Sequence, residues 1–286
     1  MRILFGLTLI ITMMVRDARA DILTLDDGNA QVVMDTASQV GVSTWSVDGQ
    51  DQLAKQWYWL RISGAGPEIS LDTLNLAGTQ VSNNDLDPGN DRLRVRYDET
   101  DFEVLLDFSL TGGLPGSGVS SMSQTFRIKN TSDDTFDIDF FSYMDFNLEQ
   151  QPGGQTVQIT GTPGNTATQT FVFNQDQVQM IGTPAPNRFT VGLNGPGTPL
   201  LDALNDASNT HLDNQVGPTG IGDAYTAFQW SQRIKPGQSF LIGLDLSLDV
   251  QNPIPEPATV TILGLAGLAL GSRRGRRNTH SARKNQ

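Results

Sequence analysis

Between residues 21 and 252 the apolar positions recur every second residue. "RLRVRY" sets Leu93, Val95 and Tyr97 on one face and Arg92, Arg94 and Arg96 on the other. "FEVLLDF" turns Phe102, Val104, Leu106 and Phe108 to one side, and "TFRIK" alternates about Phe126 and Ile128. "TFDIDF" does the same about Phe136, Ile138 and Phe140, and "LDLSLDV" about Leu244, Leu246, Leu248 and Val250. A period of two belongs to strands with one buried and one solvated face, the pattern of antiparallel sheet. Turn clusters such as "GAGPE", "NNDLDPGND", "TGGLPGSG", "QQPGG" and "IKPGQ" separate the runs. One segment departs from this: "PLLDALNDAS" spaces Leu200, Leu201 and Leu204 as a helix does, and predicts a short helix crossing an edge or end of the sheets. The Gly/Pro-rich run 182–199 leaves too few residues behind it for a second core, and no internal repeat is evident. The expected fold is all-β, one antiparallel β-sandwich over residues 21–252 with roughly 12–16 strands in two sheets and one short helix.

Both ends break the alternation. At the N-terminus Arg2 precedes an apolar run from Ile3 to Val15, and Ala18-Arg19-Ala20 has the small residues of a cleavage site before Asp21. Residues 1–20 therefore read as a secretory signal peptide, removed by signal peptidase. The C-terminus carries Pro255, Glu256 and Pro257, then the uncharged stretch 258–272, then Arg273, Arg274, Arg276 and Arg277. Two prolines around one carboxylate hold an extended, ladder-free segment. The apolar stretch is short for a spanning helix, but arginines at its end can reach the membrane interface. The positive-inside rule then places the basic tail 273–286 in the cytoplasm and the body outside.

This three-part end, over residues 253–286, resembles the PEP-CTERM sorting signal: a Pro-Glu-Pro triplet at 255–257, a single transmembrane helix at 258–272 and an arginine patch. The resemblance implies a Gram-negative bacterial protein that is exported and tethered to the inner membrane as an intermediate. An exosortase then recognises it, and it passes to the cell surface or the extracellular matrix, commonly alongside exopolysaccharide. Here the chain runs on past Arg277 to Gln286. An ordinary C-terminal anchor is the alternative reading of the same residues.

Charge sharpens this picture. The chain has 19 Lys and Arg against 31 Asp and Glu. Nine of the basic residues lie in the two ends, so the body from Asp21 to Pro255 has 29 acidic residues against ten basic ones, a formal charge of −19. Such a surface repels nucleic acid and attracts cations. The chain has no cysteine, which excludes thiol chemistry and argues for an exported bacterial protein held together by its core.

Candidate chemistry is thin. His211 is the one histidine of the body, no serine sits in a G-x-S-x-G elbow, and no H-E-x-x-H motif occurs. Four glutamates remain in the body, Glu68, Glu99, Glu103 and Glu149, and sequence alone does not pair them as glycosidase carboxylates. Asn83, Asp85, Asp87 and Asp91 offer hard oxygen ligands for Ca²⁺ on a tight turn. They equally suit Asx-turns, and the spacing is not that of an EF-hand. "KQWYWLR" places Trp57 and Trp59 on one strand face with Arg61 two residues on. These residues suit either a sugar-stacking platform or a packed interior. The Arg92/Arg94/Arg96 stripe faces either an acidic polymer or neighbouring carboxylates. The expectation is a non-enzymatic surface or matrix protein with a structural or adhesive role linked to exopolysaccharide. A carbohydrate-binding module is the second reading and a polysaccharide-processing enzyme the third.

Overall fold

A computed structural model describes residues 22–62, 66–196 and 199–250. The cleavage residues Ala18, Ala20 and Asp21, the Pro255–Pro257 triplet, the apolar stretch 258–272 and Arg273, Arg274, Arg276 and Arg277 lie outside the described residues. Among the described residues no helix is long and apolar enough to cross a membrane.

The strands are β1 (Ile22–Asp27), β2 (Ala30–Asp35), β3 (Gly41–Val47), β4 (Gln50–Asp51), β5 (Leu53–Ile62), β6 (Ile69–Ser70), β7 (Leu76–Ser82) and β8 (Arg92–Asp98). They continue as β9 (Phe102–Gly112), β10 (Val119–Asn130), β11 (Phe136–Phe146), β12 (Gln155–Thr160), β13 (Thr166–Phe171), β14 (Gln177–Thr183) and β15 (Arg188–Leu193). A six-residue helix, α1 (Pro199–Leu204), precedes β16 (Ala224–Ile234) and β17 (Ser239–Asp249). They form two sheets. The first runs β1-β2-β3-β5-β11-β16-β15, with β4 and β6 attached to β3 and β5; the second runs β12-β13-β14-β17-β10-β9-β8-β7. The sandwich is as the alternation predicts. The strand number exceeds the expected range because two of the strands, β4 and β6, are only two residues long.

Pairing is antiparallel except for one short parallel contact, where Gly41 and Val42 meet Gln56. A glycine is required there. Gly41 has φ +59°, and a Cβ on it would lie 2.4 Å from Trp57 Cε3 and 2.5 Å from the Gln56 carbonyl oxygen.

Between the sheets the inward positions of β5, β9, β10 and β11 build an aromatic core. The Tyr58 and Phe126 ring centroids are 4.7 Å apart, and those of Phe126 and Phe140 4.9 Å. A buried amide pair within it is satisfied, although the Ser142 hydroxyl nearby is buried without a partner. Gln56 and Gln124 exchange amide hydrogen bonds of 2.9 Å, and the Tyr58 hydroxyl donates to Gln124 Oε1 at 2.7 Å. With both amides paired, the usual cost of burying them is largely offset.

Candidate functional site

The second sheet alternates cleanly, buried and exposed, as in β8 and β17. The middle of the first sheet does not. β5, β11 and β16 each carry a run of at least five consecutive buried residues. Strands buried on both faces have something packed over the outer one. Register makes that outer face a set of cross-strand rows: Arg61, Asp139 and Ser231; Trp59, Phe141 and Gln229; Trp57, Tyr143 and Ala227; Lys55, Asp145 and Tyr225.

The first three rows are covered except at Ser231, which is exposed. Leu200 and Leu204 of α1 and Leu212 beyond it are buried, and the segment from α1 to residue 213 hydrogen-bonds down onto the sheet. Trp59 Nε1 donates to Asn205 Oδ1 at 3.2 Å, Arg61 Nη1 to the Thr210 carbonyl at 2.9 Å, and the Leu212 amide to Gln229 Oε1 at 3.2 Å. Trp57 Nε1 donates to Ser70 Oγ at 2.8 Å from another side. The helix was expected at an edge or end of the sheets; its leucines instead drive it onto the sheet face. Trp57 and Trp59 are 0% exposed and present no ring to a sugar. Arg61, 4% exposed, is held by Glu68 and Asp139 and stacks over Phe141, with 5.6 Å from guanidinium carbon to ring centroid. Burial alone would raise the Asp139 pKa. Hydrogen bonds from Ser231, Arg61 and Gln229, and the Arg61 charge, outweigh it and keep Asp139 below the ordinary carboxylate range.

The fourth row is half-buried and partly reached by solvent. Here Asn194, just past β15, ties the elements together. Its Nδ2 donates to Asp145 Oδ2 at 2.8 Å, its Oδ1 accepts from the Tyr143 hydroxyl at 3.0 Å, and its backbone amide donates to the Asp223 carbonyl at 2.6 Å. Burial, then the Asp223 charge, pushes Asp145 up to about 7, against the pull of Asn194 and Lys55. Burial also raises Asp223 and Tyr225 and lowers Lys55, the last despite Asp72 and Asp145 nearby. One oxygen each of Asp145 and Asp223 (Oδ1) is buried without a hydrogen-bond partner. Tyr225 stacks on Tyr143 with centroids 5.5 Å apart and planes at 27°. Gly192 of β15 gives it room, since a Cβ there would lie 2.4 Å from the Tyr225 hydroxyl oxygen. The end of the sheet thus gathers a carboxylic acid protonated near neutrality, a second carboxylate, a partly exposed aromatic face and a lysine. Sets of this kind do acid–base chemistry on polar ligands.

In the turn proposed for Ca²⁺ the side chains make the Asx-turns that the sequence also allows. Asn83 Oδ1 accepts from the Asp85 amide and Asp85 Oδ1 from the Asp87 amide, both at 2.9 Å, in successive Asx-turns. Asp91, buried, turns inward to the Asn84 amide at 2.7 Å. The carboxylates that come together are Asp85 and Asp87 with Asp27 of β1, whose other role is to accept from the Gly112 amide at 2.8 Å. His211 is exposed in a segment without regular structure.

No protein-family model matches the chain, and no curated protein matches it in sequence. Solved structures match by fold. A galactose mutarotase-like protein from Clostridium acetobutylicum superposes with a TM-score of 0.52 at 9% identity, covering 78% of this chain and 93% of that one. A bacterial glucoamylase solved with acarbose gives 0.53 at 8% identity, over 88% of this chain and 36% of that one. The likeness is one of fold. It corrects one expectation. A non-enzymatic protein was expected because the sequence offers no catalytic constellation, but the same sandwich occurs in a glucoamylase and in a galactose mutarotase-like protein. The site that sequence reasoning missed, Asp145 with Asn194 and Asp223, belongs to three separate segments that only the fold brings together.

Proposed function

We propose that this chain is an exported carbohydrate-active protein, sent to the cell surface or matrix by its PEP-CTERM tail, with its sugar site at the open row of the first sheet. The observation that carries the reading is the carboxyl pair at that row, with Asp145 held to about 7 beside Asp223. A carboxylic acid that keeps its proton near neutral pH beside a second carboxyl in a different environment is the arrangement that splits acid and base roles. The named fold neighbours, a galactose mutarotase-like protein and a glucoamylase, are consistent with sugar as the ligand class.

In this reading the sugar lies on the exposed part of Tyr225. Asp223 takes the proton from the anomeric hydroxyl as the C1–O5 bond opens, and Asp145 gives its proton to the ring oxygen. Reclosure from the other face returns both protons and leaves the opposite anomer. Asn194 positions Asp145, and Lys55 supplies positive charge while the pair is ionised. Exchange spectroscopy by proton NMR on a panel of free aldoses tests this directly. The mature protein is expected to speed anomer interconversion, and Asp145→Asn to lower the rate about 10²- to 10⁴-fold. Anomer exchange at the buffer rate across the panel overturns the reading.

A further inference from the structure

The opposite sheet carries a second surface that the carboxyl pair does not use. Its outer face mixes short polar side chains with charged ones and a few aliphatics such as Leu241 and Ile181. One cross-strand row runs Thr111, Ser121, Ser247, Gln179, Thr168 and Gln158, every member a hydroxyl or an amide. All six are half-buried or exposed. Period-two alternation fills the inner face with Leu and Phe and leaves this row polar.

Three hollows lie on this face and adjoin. The largest, about 420 Å³, is lined by Gln80, Ser82, Arg92, Arg94 and Ser109 and reaches Ser123. The next, about 240 Å³, shares Ser123 and extends past Ile181 and the Asp245 carboxylate, which accepts from the Ser123 hydroxyl at 2.7 Å, to Gln179 and Ser247. The third, about 190 Å³, shares Ser121 and Ser247 and ends at Gly113. Together they make a continuous trough from β7 to β14. At about 4.8 Å per strand step its six strands span roughly 24 Å, the length of an oligosaccharide rather than of a single sugar.

Charge gives the trough a polarity. Arg94 pairs with Asp107 at 2.7 Å, Arg96 with Asp98 at 2.7 Å and Glu103 at 3.0 Å, and Arg127 with Glu103 at 2.8 Å. The sequence expectation of carboxylate partners thus holds for two of the three arginines in the stripe, with Asp98 among them. Arg92 stands at one end of the largest hollow and makes no ion pair among the described residues. We infer that this trough binds a linear polysaccharide bearing uronic acid groups, with one carboxylate on the Arg92 guanidinium and the hydroxyls of the chain on the Ser/Thr/Gln row. The negative charge of the whole body disfavours a densely charged polymer, which selects a chain with spaced carboxylates.

Isothermal titration of the mature protein with hyaluronan oligosaccharides, whose carboxylates alternate with uncharged sugars, and with their carboxyl-reduced form tests the inference. Binding is expected for the acid form. Arg92→Gln should weaken it about tenfold, the value of one charge-assisted contact, and leave the reduced form unchanged. Ser123→Trp should fill the trough and abolish binding at an unchanged melting temperature. Asp145→Asn, on the other sheet, should bind as wild type, which separates this site from the proposed sugar chemistry. No binding of the acid form, equal affinity for acid and reduced forms, or binding that survives Ser123→Trp overturns it.

Discussion

At the scale of single residues, the proton on Asp145 has consequences beyond chemistry. The folded chain holds it to about 7, whereas an unfolded aspartate releases it near pH 3.9. Between those values the Asp145 carboxyl binds more protons in the folded state than in the unfolded one, so its contribution to stability falls as pH rises from about 4 towards 7. Glu149 adds to the same slope. Its hydrogen bond with Asp176, its burial and the Asp176 charge raise it to about 7. Urea midpoints of the wild type are expected to drop between pH 4 and 7, and Asp145→Asn to show a shallower drop that Glu149→Gln flattens further. A midpoint that rises over this interval would contradict the assignment. Arg61 is the other residue with large leverage. Arg61→Ala leaves Glu68 and Asp139 facing each other without their cation, and should lower the unfolding free energy by about 3–5 kcal/mol.

At the scale of elements, the covered rows make Trp57 and Trp59 structural. Trp59→Ala should lower stability by about 3–5 kcal/mol, seen as a lower urea midpoint with the same slope, and leave any sugar affinity intact in the refolded protein. Loss of sugar binding at full stability would instead return these rings to a binding role. The sequence already held the sign of this cover. "KQWYWLRI" and "FFSYMDF" are apolar or aromatic on both faces, unlike "RLRVRY", and a strand with no solvated face needs a partner on each side. The leucines of the short helix were visible too. What linear spacing could not give is which face the helix covers, since that depends on register between β5, β11 and β16. The same limit hid Asn194 and Asp223, polar residues in Gly-rich stretches whose meaning comes only from lying beside Asp145. The alternation of the second sheet, by contrast, was readable residue by residue, because there one period decides both burial and exposure.

At the scale of the whole molecule, the two proposed sites lie on different sheets of the sandwich. The centre of one sheet is covered over β5, β11 and β16, and the outer face of the other sheet is open and long. An exported protein that holds a polymer on one face and acts on sugar at the other would suit an exopolysaccharide matrix. The ends of the chain would supply its delivery. Intact mass of the protein from the surface fraction of its host should show loss of residues 1–20 and of the segment beyond Pro257. Retention of Arg273–Arg277 would mean a tethered protein and contradict release into a matrix.

The protonation of Asp145 decides the account most directly. Carbon-13 NMR titration of the aspartate carboxyl carbons, assigned by comparison with Asp145→Asn, reads it without a substrate. The account predicts a midpoint near about 7, shifting when Asp223→Asn removes the neighbouring charge. A midpoint near about 4, the ordinary aspartate value, would contradict it.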